Sequence, residues 1–208
     1  MLERLVAAQR SAVAPFHVMD VLAAARQRQR THGDLVSLGA GQPSAPAPAP
    51  VLAAAELALR SGALGYTEQL GIPELRDAIA HHYRRTYGLA VSAEDVVVTT
   101  GSSGAFLLAF LASFDVGDRV AIGRPGYPAY RNILAALGCE VVELPCGPDE
   151  RFQPTVELLE RLDRPVRGLV VASPANPTGT VLAPDELAAL AGWCAEHDVR
   201  LVSDEIYH

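Results

Sequence analysis

From Val96 onward, short β-branched and apolar runs alternate with stretches of helical periodicity, and this alternation leaves the chain few folds to choose from. The runs are Val96–Thr100, Arg119–Ile122, Glu140–Leu144, Gly168–Ala172 and Arg200–Ser203. Between them, Ser103–Ser113, Tyr127–Leu137, Thr155–Leu162 and Pro184–His197 read as helices. Strands separated by helices of this length are joined by crossovers and lie parallel, and a parallel sheet needs cover on both faces. The expected fold class is therefore α/β, a largely parallel sheet with flanking helices. Pro184 suits a first helical turn, where no intrahelical bond needs its missing N–H, and Asp185 and Glu186 complement the positive helix end.

The first ninety residues read differently. Met19–Arg30 is rich in helix formers with Gly33 as a stop, and Val51–Arg60 and Pro73–Tyr87 have helical periodicity around the Gly62–Gly71 loop that holds Tyr66. Prolines at 43, 46, 48 and 50 impose extended backbone on Gln42–Pro50, which reads as a linker or an arm lying on a neighbour. The expected organisation is an N-terminal arm and helix over residues 1–50 and an α/β domain over 51–208.

Composition narrows the partners. All 17 cations are arginine against 24 acidic residues, and a net charge of -7 argues against nucleic acid or an anionic membrane as the main partner. Ala105–Phe114 is apolar but too short to cross a bilayer, and Met1–Phe16 carries Glu3, Arg4, Gln9 and Arg10 without the central apolar block of a secretory signal. Cys139, Cys146 and Cys194 are odd in number and lack metal-site spacing, so the expectation is reduced thiols, no metal and a cytoplasmic location.

In an open α/β sheet, ligands collect beyond the carboxyl ends of the strands, and every chemical candidate falls at such an end. Thr99-Thr100-Gly101-Ser102-Ser103-Gly104 follows the first run and opens a helix, so its amides and hydroxyls suit a phosphate; a serine-capped glycine turn gives the same string. Tyr127 follows the second run, placed to stack on a planar ring or to pack at the sheet edge. Asn176, in Ser173-Pro174-Ala175-Asn176-Pro177-Thr178-Gly179, offers an amide donor to a cofactor oxygen, or serves an ordinary proline-glycine turn. Asp204 ends the fifth run, where a carboxylate beside a pyridine nitrogen favours the protonated, electron-withdrawing ring. Tyr207, three residues on, could bond a ring hydroxyl or be structural. The set reads as a pocket for pyridoxal phosphate, yet no lysine occurs among the 208 residues, so the covalent anchor is missing.

Six stretches carry a specific resemblance: GAGQP at 39–43, GYTEQLGIPELRDAIA at 65–80, TTGSSGAF at 99–106, RPGYPAY at 124–130, SPANPTG at 173–179 and SDEIYH at 203–208. In order and spacing the chain resembles the pyridoxal phosphate-dependent aminotransferases of class I and II, fold type I. The resemblance implies that Ser102, Ser103 and Gly104 hold the phosphate, Tyr127 stacks on the pyridine ring, Asn176 and Tyr207 face its hydroxyl, and Asp204 faces its nitrogen. It also implies that Tyr66 reaches the phosphate of the other subunit of a homodimer, that Gly41 lines the substrate carboxylate pocket, and that the Asn176–Pro177 bond is cis. The implied reaction moves an amino group from an amino acid to a 2-oxo acid. No catalytic residue is assigned.

In this family the Schiff-base lysine and the substrate-carboxylate arginine come after the position of Asp204. The resemblance thus implies the N-terminal portion of a longer enzyme: 51–208 as an incomplete large domain, inactive alone, with Val96–Thr100 lacking the strand it would pair with. A fold type I lyase or decarboxylase segment, and a non-catalytic cofactor-binding module, remain alternatives, because the pocket alone does not select the bond that breaks.

Overall fold

The protein is described here from a computed structural model covering residues 6–15, 17–39, 41, 45–62 and 65–208. Ala40 and Gln42–Ser44, which belong to the GAGQP string and the proline tract, and Ala63 and Leu64 of the loop before Tyr66, lie outside the described residues. The chain divides into two compact units, residues 17–99 and residues 1–16 with 100–208.

The larger unit is a four-stranded sheet of order β2-β1-β3-β4, with β1 Arg119–Arg124, β2 Glu140–Pro145, β3 Gly168–Ala172 and β4 Arg200–Asp204, all pairs parallel. Helices α4 (Gly101–Ser113) and α5 (Pro128–Leu137) cover one face, and α6 (Val156–Glu160) and α7 (Pro184–Glu196) the other. Strand periodicity of two sorts the side chains between them. Val120, Ile122 and Val170 pack with Phe106, Phe110, Tyr130 and Leu134 on the first face. Ala121, Leu169 and Val171 pack with Leu158, Leu159, Leu190 and Cys194 on the second. The middle of β1, Val120–Ile122, and the whole of β3 are apolar because both their faces are covered.

At Gly168 the close packing leaves no room for a side chain. An added Cβ there would lie 2.3 Å from Cζ and 2.4 Å from Cε1 of the buried Phe114 ring. A Gly168→Ala chain is expected to lose about 1–3 kcal/mol of stability through this overpacking, read as a lowered urea midpoint; an unchanged midpoint would contradict the packing described.

The smaller unit holds α1 (His17–His32), α2 (Ala49–Ser61) and α3 (Pro73–Tyr87). None of its described residues is buried, and Val51, Leu52, Leu57 and Leu59 of α2 are exposed. The expected first strand, Val96–Thr100, does not form: these residues join no ladder. Local bonds hold the segment instead. The Val98 N–H donates to the Leu70 carbonyl at 2.9 Å, and the Arg76 guanidinium donates to the carbonyls of Val96 and Ala93 at 3.0 and 2.7 Å. Apolar patterning made it strand-like, but a strand needs a partner, and the described chain supplies none.

Candidate active site

The path of the sheet creates a crevice before any side chain is considered. The chain steps from β1 to β2 on one side, then jumps back across β1 and continues outward through β3 and β4. Strand order therefore reverses between β1 and β3, and at such a switch point the loops leaving the two carboxyl ends diverge and open a cleft. A pocket lies there, walled by Gly123, Tyr127 and Tyr130 from the β1 side and by Ala172, Ala175 and Asn176 from the β3 side.

Tyr127 caps α5, half-buried, and Tyr130 follows one helical turn later on the same face. Their rings meet edge to face at 5.5 Å, and the Tyr130 ring also meets Phe106 of α4 at 4.9 Å. Asn176 stands exposed on a turn with a cis Asn176–Pro177 bond; Arg124–Pro125 and Ser173–Pro174 are also cis. Gln153, only 2 % exposed, braces this turn from beneath, its amide donating to the carbonyls of Ala172 at 3.1 Å and Thr180 at 3.0 Å.

Asp204 ends β4 half-buried, with both carboxylate oxygens engaged. Oδ1 accepts the Ile206 N–H at 3.1 Å, and Oδ2 accepts a short bond from the Tyr130 hydroxyl. Burial first, then the Asp204 carboxylate, push the Tyr130 phenol above its ordinary pKa, so it stays a donor; Tyr127 and Tyr207 act in the same direction. The route from Asp204 to the helix start at Ser102 and Ser103 is thus short: Asp204 to Tyr130, Tyr130 to Phe106, and Phe106 lies one turn beyond those serines. Gly101, the first residue of α4, has φ +76, a conformation favouring glycine, and first-turn amides have no acceptor within their own helix.

Ser102, Ser103, Gly104, Tyr127, Asn176, Asp204 and Tyr207 therefore all belong to the larger unit, Tyr207 exposed beyond β4. Tyr66 and Gly41 belong to the smaller unit, both exposed. Two residues at the crevice carry no expectation from sequence. Tyr130 was open to discovery, since its spacing from Tyr127 puts both on one helix face; Gln153 sits in an irregular loop and carries no such signal. The three cysteines are buried, which pushes each thiol pKa up. Among the described residues, no cluster of three His, Cys, Asp or Glu side chains could hold a metal ion, and no helix is long and apolar enough to cross a membrane.

The doubly wound parallel sheet thus carries an aromatic ring and an amide at its switch point, and a carboxylate one strand further out that reaches the crevice through Tyr130. The chain belongs to the aminotransferase class I and II family, whose sequence profile matches residues 33–208. It is 68% identical over 97% of its length to a valine–pyruvate aminotransferase of Mycobacterium tuberculosis, covering 52% of that protein. It is 42% identical over 94% of its length to an aspartate/prephenate aminotransferase of Thermus thermophilus, covering 51% of it. A crystal structure of an aminotransferase from Mycobacterium tuberculosis superposes with a TM-score of 0.95 at 66% identity, over 99% of this chain and 53% of that one. The chain thus spans about half the length of the relatives it matches, and its fold is that of the corresponding part of a fold type I aminotransferase.

Proposed function

We propose that this chain holds pyridoxal 5'-phosphate for an aminotransferase that moves an amino group from an amino acid to a 2-oxo acid. The observation that carries the reading is the convergence, at one end of the sheet, of Tyr127, Asn176 and, through Tyr130, Asp204. The donor set suits the group. A carboxylate has about four lone-pair sites, so Asp204 retains acceptor capacity for a pyridinium N–H beyond its two bonds. The α4 start at Ser102, Ser103 and Gly104 offers amides and hydroxyls to a phosphate, Tyr127 offers a ring face, and Asn176 and Tyr207 offer donors to the ring hydroxyl.

When bound, the cofactor supplies an electron sink for charge developing at the substrate α-carbon. Asp204 keeps the ring nitrogen protonated, and Tyr127 fixes the ring plane. No lysine is present to form the covalent link or to shuttle the α-proton, so this chain by itself binds without turnover. Valine and pyruvate, named for the relative 68% identical, are the first substrate pair to test in an enzyme containing these residues. The family resemblance further supports a cytoplasmic enzyme of amino acid metabolism and a homodimer in which Tyr66 reaches the partner's phosphate site and Gly41 lines the substrate carboxylate pocket.

Equilibrium dialysis of the chain against pyridoxal phosphate tests the binding. Saturable one-to-one binding that borohydride does not fix to any lysine is expected. Failure to saturate would contradict the reading.

A further inference from the structure

We propose that Tyr130 is a positioning residue of this site: its hydroxyl orients the Asp204 carboxylate toward the pyridine nitrogen and keeps the shared proton on the ring. The proposal rests on the cofactor reading above and adds to it a residue that touches Asp204 and that sequence did not single out.

Three observations carry it. The Tyr130 hydroxyl donates to Asp204 Oδ2, leaving Oδ1 to the Ile206 N–H at 3.1 Å, so one oxygen is held by a side chain and the other by backbone. The ring cannot swing away, because it is 5 % exposed and pinned edge-on between Phe106 at 4.9 Å and Tyr127 at 5.5 Å. Asp204 pairs with Ala172, which walls the crevice, in the last register of β3 and β4, so its carboxylate stands at the crevice end of the sheet.

The chemical consequence follows from hydrogen-bond donation to an anion. A donor to the carboxylate stabilises its charged form and lowers its basicity toward a neighbouring proton. In a carboxylate–pyridine pair, that bias leaves the proton on nitrogen. The other titratable groups acting on the phenol are Tyr127 at the head of α5 and Tyr207 beyond β4, both weaker than Asp204.

Tyr130→Phe removes the hydroxyl and keeps the ring that packs on Phe106 and Tyr127. The measurements are equilibrium binding of pyridoxal phosphate labelled with ¹⁵N in the ring, and the ring-nitrogen chemical shift of the bound form at pH 7. For Tyr130→Phe the affinity is expected to fall about tenfold, the effect of one charge-assisted hydrogen bond, and the shift to move from the pyridinium toward the neutral position. In an Asp204→Asn background the same substitution should change affinity less than twofold. If Tyr130→Phe does not fold, 3-fluorotyrosine at position 130, a stronger donor, should move the shift further toward pyridinium. Wild-type binding that depends on Asp204, with the nitrogen shift indifferent to both changes at position 130, overturns the proposal alone. Absent wild-type binding, or binding indifferent to Asp204→Asn, overturns the cofactor reading and the proposal with it.

Discussion

An Asp204→Ala chain is expected to bind pyridoxal phosphate about a hundredfold more weakly than the wild type, since a charge-assisted bond in a partly buried site is worth up to about 3 kcal/mol. Alanine removes the anion proposed to meet the ring nitrogen. It also leaves the buried Tyr130 hydroxyl without its acceptor, so the loss includes a disturbed aromatic wall. The two contributions separate by experiment. Asp204→Asn keeps an oxygen for the Tyr130 hydroxyl, and should retain wild-type thermal stability while still binding weakly. Alanine should lower both affinity and melting temperature. Equal affinity in all three chains would mean that the ligand does not meet this carboxylate.

The largest stability effect is expected at Phe110. It is wholly buried on α4, one turn from Phe106 and one from Phe114, and the three rings form a stripe facing β1 and β3. Truncating a buried phenylalanine removes its transfer free energy and leaves a cavity, together about 3–5 kcal/mol. Domains of this size are stable by only about 5–15 kcal/mol, so Phe110→Ala should take a large share of the total. Leu111, on the same helix but 62% exposed, is the control, and Leu111→Ala should change stability by no more than about 0.5 kcal/mol. Urea denaturation of the two chains measures the contrast. The proposed phosphate site depends on the same packing, because the stripe seats the helix whose first turn carries Ser102 and Ser103. Comparable losses in the two chains would mean that α4 is not held by this face.

The sheet was legible in the sequence because four of its strands are apolar runs whose neighbours arrive a helix later in the same chain. β3 runs over Gly168–Ala172 as the pattern expects, and β1, β2 and β4 extend the expected runs only at their carboxyl ends. Val96–Thr100 has the same local character yet stays outside the sheet. Its case shows that a run of valines and threonines specifies extended backbone but not the partner that makes it a strand. The boundary expected at residue 50 falls within α2, inside the smaller unit, because proline content marks irregular backbone rather than a change of packing partner. The crevice was legible as a set of strand ends and turns. Its internal bonds were not, since the Tyr130–Asp204 contact joins residues 74 apart and is fixed by the β2-β1-β3-β4 order, which no local pattern encodes.

The central claim is that loops from separate parallel strands meet around one vitamin-derived ring. A crystal structure of the chain grown with pyridoxal phosphate tests it most directly. The account predicts the pyridine nitrogen within hydrogen-bond distance of the Asp204 carboxylate, with the phosphate on the first turn of α4 at Ser102 and Ser103. Density for the ligand at the opposite end of the sheet, in the cleft beside Arg167 and Arg200, with the β1–β3 crevice empty, would contradict it.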